Sequence, residues 1–131
     1  MEGPWRPDED FEHTHTIDNA PYRIGVAFDR PRDGRGRFLV QLQYGPSDQT
    51  VAQMDHDPTP PGGHDVYDEG LHVDVFRTGE LQDVTLWPDH PPLSRNLGRV
   101  IRRCTAYLDQ HSQYLVQVRR GDISPRDPPR F

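Results

Sequence analysis

The apolar residues of this chain change their spacing once, at Pro91-Pro92, and that single change restricts what the chain can fold into. Before it, apolar residues alternate with polar ones, the period of a half-buried strand. In "YRIGVAFD", Tyr22, Ile24, Val26 and Phe28 share one side. In "FLVQLQYG" the inward set is Phe38, Val40, Leu42 and Tyr44, with Gln41 and Gln43 outward. "FEHTHTI" at 11–17 reads as an edge strand, "TVAQMDHD" as a fourth strand and "LQDVTLWP" as a last one carrying Val84 and Leu86. In "GLHVDVF", Leu71, Val73 and Val75 point inward, so His72 and Asp74 project from the opposite face. The links between these runs are of turn length, "DNAP", an Asp33-Gly34 hairpin signal, "GPSDQ" and "RTGE", which is the pattern of an antiparallel meander.

After Pro91-Pro92 the period becomes about 3.6 residues. Leu93, Leu97, Val100, Ile101, Cys104, Leu108, His111, Leu115 and Val118 fall on one stripe, and no proline interrupts residues 93–118. This predicts one long amphipathic helix ended by "RRGD" at 119–122. A sheet with one apolar face and a helix with one apolar stripe must cover each other. The expected fold class is α+β: a curled antiparallel β-meander of five to six strands packed on one long C-terminal amphipathic helix. The domain is expected to span residues 11–118, with flexible tails at 1–10 and 119–131, where proline and charge gather without periodicity.

Charge narrows the setting. The chain holds sixteen Asp, five Glu and fifteen Arg, with no Lys. An acidic, lysine-free surface stays hydrated in concentrated salt, so a halophilic archaeon or a GC-rich bacterium is expected. A formal net charge of −6 argues against a protein that coats nucleic acid over its whole surface, although a local basic patch can still bind RNA. With Cys104 as the one cysteine, no internal disulfide forms. The N-terminus lacks a signal-peptide pattern and no apolar run suffices to span a bilayer, so a cytoplasmic protein without a membrane partner is expected.

Chemistry concentrates in "MDHDPTPPGGHDVYDEGLHVDVF" at 54–76, which carries His56, His64 and His72 among six acidic residues. If the strands bearing His56 and His72 pair, the 57–70 loop can fold His64 back over them. Together with Asp74 these are the candidate catalytic residues. Two histidines and a carboxylate would also make an open metal site. The spacings match no compact zinc signature, however, and no metal or cofactor is expected. The polar side of a strand in an acidic protein carries such residues without any function. His13 and His15 would join the group if their strand lay beside residues 71–77. On the helix, Arg95, Arg99, Arg102 and Arg103 face away from the stripe and form a candidate substrate-binding strip for RNA or an acidic partner, or else a solvated helix face. Cys104, among apolar neighbours, reads as a buried small hydrophobe.

The succession "FLVQLQYG", "TVAQMDHD", a Pro/Gly/His loop, "GLHVDVF" and a terminal helix resembles the TumE-type toxin components of prokaryotic toxin–antitoxin pairs over about residues 38–76. "GHDVYDEGLHVDVFR" is also similar to small haloarchaeal proteins. Asp55, His56 and Asp57 stand where that family has an Asp-Asn segment, and His72 where it has a terminal histidine. Val73 and Asp74 replace the family's paired His-Lys-His. The resemblance implies a small toxin acting on RNA and held by an antitoxin protein. As a ribonuclease it would use His72 and His56 as the acid–base pair, with Arg99 or Arg102 on the phosphate. The residues alone leave two other readings open, a non-catalytic interaction module and a metal-dependent hydrolase using the His/Asp face.

Overall fold

A computed structural model describes residues 10–17, 20–29, 36–45, 49–58 and 63–131, with side chains from Pro21 onward, Asp29 aside. The expectations for residues 1–9 and for the Asp33-Gly34 turn lie outside them. Six strands form one sheet in chain order: β1 (Asp10–Ile17), β2 (Ala20–Asp29), β3 (Arg37–Tyr44), β4 (Gln49–His56), β5 (Val73–Val75) and β6 (Val84–Leu86). Every neighbouring pair is antiparallel. Three helices complete the chain: α1 (Val66–Glu69), α2 (Leu97–Gln110) and α3 (Ser112–Arg120). The fold is α+β, as the alternation and the change of period at Pro91-Pro92 predict. Among the described residues, no helix is long and apolar enough to cross a membrane.

The core lies between one face of the sheet and the helices. Phe38, Val40 and Leu42 of β3 sit opposite His56, Met54 and Ala52 of β4, and all six are buried. Val73 and Val75 extend this face through the Ala52–Val75 pair. The α2 side chains Val100, Cys104 and Leu108 close over it, joined by Leu115, Val116 and Val118 of α3. Each large aliphatic or aromatic side chain buried here contributes about 1.5–3 kcal/mol by leaving water. Phe28, expected on the inward side of β2, is 43 % exposed.

The single long helix is corrected to two, beginning four residues late. Asn96 caps α2, its side-chain oxygen accepting the Arg99 N–H at 3.3 Å. Leu93–Asn96 stays out of the helix, with the Ser94 carbonyl accepting the Tyr67 hydroxyl at 2.7 Å. The second break falls at His111, whose φ of −109° and ψ of 18° leave the helical region. Its N–H still donates to Tyr107 and its carbonyl accepts from Leu115, so the ladder passes through a local kink. The Ser112 hydroxyl donates to the Asp109 carbonyl at 3.0 Å, a side-chain bond that competes with regular helix geometry.

Residues 119–131, read from the sequence as a tail, begin inside α3 and then return along α2. Arg119 donates to the Thr50 carbonyl at 3.3 Å, to the Gln49 side chain at 3.0 Å and to the Phe76 carbonyl, tying α3 to β4 and to the chain after β5. Gly121 ends α3 at φ 77°, where a Cβ would also meet Leu81 at 2.7 Å. The Tyr107 hydroxyl then donates to the Pro129 carbonyl at 2.7 Å, and the Phe131 ring packs between Tyr107 and the Arg103 guanidinium.

Candidate functional site

The sheet's other face is polar because the same alternation that sends Met54, Val73 and Val75 inward sends Asp55 and Asp74 outward. Gln41, Gln43 and Gln53 form a short ladder of amide hydrogen bonds across β3 and β4, each 3.1 Å long. Gln53 sits opposite Asp74 in the β4–β5 register, and Asp74 opposite Thr85 on β6. Asp74 is thus flanked by polar groups from both neighbouring strands.

His72 precedes β5 on this face. Its Nε2 donates to Asp74 Oδ2 at 3.2 Å and lies 3.7 Å from Asp55 Oδ1. Thr85 donates its hydroxyl to the other Asp74 oxygen at 2.8 Å. The hydrogen bond with Asp74 raises the His72 pKa, against a smaller opposing effect of burial. Burial alone would raise Asp74, but its bonds from His72 and Thr85 outweigh that and hold the carboxyl low. Among the described residues Asp55 has no such donor, and burial pushes it up. Two carboxylates facing one imidazole are therefore driven apart by their surroundings, an arrangement met where protons or cations are handled.

The loop after β4 brings the third group. The Asp57 N–H donates to the His64 carbonyl at 2.8 Å, closing the loop on itself. Asp65 then caps α1 by accepting the Tyr67 N–H at 2.9 Å, and Gly70, at φ 89°, follows the helix. His64 Nε2 donates to the Gly70 carbonyl at 3.0 Å, and its Nδ1 lies 2.8 Å from Glu69. These contacts hold the His64 ring edge-on to His72, with centroids 4.0 Å apart. Trp87, 54 % exposed, completes the rim with its centroid 4.9 Å from the His72 ring.

His56 is not part of this group. It is 3 % exposed and faces the core, stacked on Phe38 with centroids 5.6 Å apart and edge-on to Tyr67. Its Nδ1 accepts the Val66 N–H at 3.2 Å, and burial lowers its pKa. The expected pairing of His56 with His72 fails because the two belong to opposite faces of the sheet. His56 shares the parity of buried Met54, and Asp55 takes the outward place. The arginine strip is also apart. Arg99 and Arg102 are exposed on α2, Arg95 lies over the Tyr67 ring at 4.5 Å and Arg103 over Phe131 at 4.7 Å, all in the layer that covers the core face. Among the described residues β1 pairs with β2, and three strands separate it from β5, so the strand of His13 and His15 is not beside residues 71–77.

Asp55, Thr85 and Trp87 were missed among the site residues, although parity pointed to each of them. With Val84 and Leu86 facing the core, Thr85 and Trp87 must share Asp74's side. Cys104 is fully buried, and burial holds its thiol far above the ordinary range, so it has no part as a nucleophile. His90 is structural as well, accepting the Leu71 N–H at 3.1 Å. Compared with known proteins, the chain matches no protein-family model, no curated protein and no solved structure.

Proposed function

We propose that the polar face of the sheet is a site acting on RNA, in a small toxin-type hydrolase with a cytoplasmic setting and an antitoxin partner. One observation carries the reading. Asp55, His64, His72 and Asp74 come together from β4, the loop and the β5 segment, beside an exposed indole. Cleaving a phosphodiester needs a group that takes a proton, one that returns a proton to the departing oxygen, and positive charge beside the phosphate. The two imidazoles and Asp55 are the proton carriers of this face, and Trp87 offers a stacking surface for a base. Arg95, Arg99, Arg102 and Arg103 have no place in this version of the site, and neither has His56.

The test is induction of the wild-type chain beside His72→Ala and Asp55→Asn, with growth followed and total RNA run on a gel. Wild type is expected to arrest growth and degrade RNA, and both variants to lose the effect. Intact RNA and normal growth in all three would defeat the reading. A second reading, a non-catalytic interaction module, draws support from His64, whose two ring nitrogens are both engaged within its own loop. It requires that a partner protein bind His72→Ala as tightly as wild type.

A further inference from the structure

A phosphodiester brought to this face meets Asp55, Asp74 and Glu69 together. Like charges at such range repel unless something positive lies between them. One imidazolium can offset one carboxylate. The strip of arginines is in the other layer; on this face Arg37, at the start of β3, lies 4.0 Å from Asp57, and Arg23 stands on β2, two strands away from Asp55. The face as built therefore collects negative charge around a gap.

The shape of that gap is specific. His72 Nε2, one Asp55 oxygen and one Asp74 oxygen all lie within 4.8 Å of one another. The two nitrogen–oxygen separations are 3.2 and 3.7 Å. Ligands about 2.0–2.2 Å from a tetrahedral metal ion stand roughly 3.3–3.6 Å apart, which falls between those values. Two further features point to a ligand. The Asp55 carboxylate, 28 % exposed, aims at His72 from 3.7 Å, too far for a hydrogen bond, and among the described residues no donor reaches it. Asp74 is held by its second oxygen through Thr85, which fixes the first toward His72 in the way that outer partners orient metal-ligating carboxylates.

We infer that Asp55, His72 and Asp74 form a binding site for one divalent transition-metal cation of the Mn²⁺ or Zn²⁺ class. One nitrogen and two carboxylate ligands suit such ions, and three protein ligands leave positions open for water or a phosphate oxygen. The inference supplies the positive charge that the RNA reading needs and in that respect rests on it. With the ion bound, His72 is a ligand and is no longer a proton carrier.

The experiment is calorimetric titration of the purified full-length chain with Mn²⁺ alone, repeated with Zn²⁺ and backed by the Mn²⁺ paramagnetic resonance signal. One ion per chain is expected. Asp55→Asn and Asp74→Asn should each weaken binding by more than about tenfold, and Thr85→Val by about tenfold through loss of orientation. Asp109→Asn, on α2, should leave it unchanged. Circular dichroism on each variant separates lost binding from lost folding. Absence of binding by the folded wild type overturns the inference, and so does undiminished affinity in folded Asp55→Asn and Asp74→Asn, which would put the ion elsewhere. Stoichiometric metal with intact RNA would leave this site standing and remove the RNA reading. RNA cleavage undiminished by a chelator, with no metal bound, would do the reverse.

Discussion

His56 and His72 belong to the same stretch of sequence, yet the sheet separates them and gives them different work. On the core face His56 lends an unprotonated nitrogen to the Val66 N–H between two aromatic rings. On the polar face His72 is held by a carboxylate that favours its charged form. The contrast shows that a histidine's chemistry follows from which side of the pleat it occupies. Residue type and crowding along the chain were poor guides to either role.

Several measurements would sharpen or break this contrast. The largest effect is expected from His56→Ala, which leaves a cavity against Phe38 and orphans a buried N–H, at a cost of about 3 kcal/mol in urea unfolding. His72→Ala should cost only about 1 kcal/mol while removing activity and metal. If the two costs came out reversed, the assignment of faces would be wrong. Arg119→Ala, which cuts the tie between α3 and the β4–β5 region, should cost about 2 kcal/mol without touching metal affinity.

The pH dependence of stability has a definite sign at His56. The unfolded chain takes up a proton near the ordinary value of 6.5, whereas the folded chain resists until a lower pH. The unfolded state then binds more protons, so the His56 contribution to stability falls as pH drops below about 6.5 and levels off beneath the folded value. His56→Gln keeps an acceptor for Val66 and should flatten this part of the profile. An unchanged slope in that variant would remove His56 as the cause. Asn96→Ala, which deletes the cap of α2, should cost about 1 kcal/mol and leave the polar face as it is. Smallest of all, Trp87→Ala should change stability by no more than about 0.5 kcal/mol, because the ring is half exposed. Its effect is expected in RNA binding, and a variant that binds RNA normally would exclude the indole as a stacking surface.

Much of this architecture was legible before any coordinates. The runs from Tyr22, Phe38, Thr50, Leu71 and Leu81 each overlap the strand expected there, because period-two burial leaves a local mark. The outward position of His72 and Asp74 was legible for the same reason. The expected pairing of His56 with His72 overlooks parity, since His56 shares the inward side of Met54. The kink at His111 left no mark in the apolar stripe, which runs on through Leu115 and Val118, since a serine bonding back to Asp109 changes the backbone and not the pattern. α1 was hidden in a loop of prolines and glycines and needs only four residues to turn the chain. The return of residues 121–131 onto Tyr107 and Arg103 depends on partners from the helix before them, which no local pattern announces.

By itself the sequence determined two layers and the side of the pleat on which each strand residue lies, since alternation and helical spacing are properties of neighbours along the chain. Tertiary structure alone decided that Asp55 should face His72, that His64 should swing over it, and that the arginines of α2 should stand in the other layer. Those meetings depend on strand register and on the closure of a loop, and both are settled by contacts between residues far apart in sequence, when the whole core packs at once.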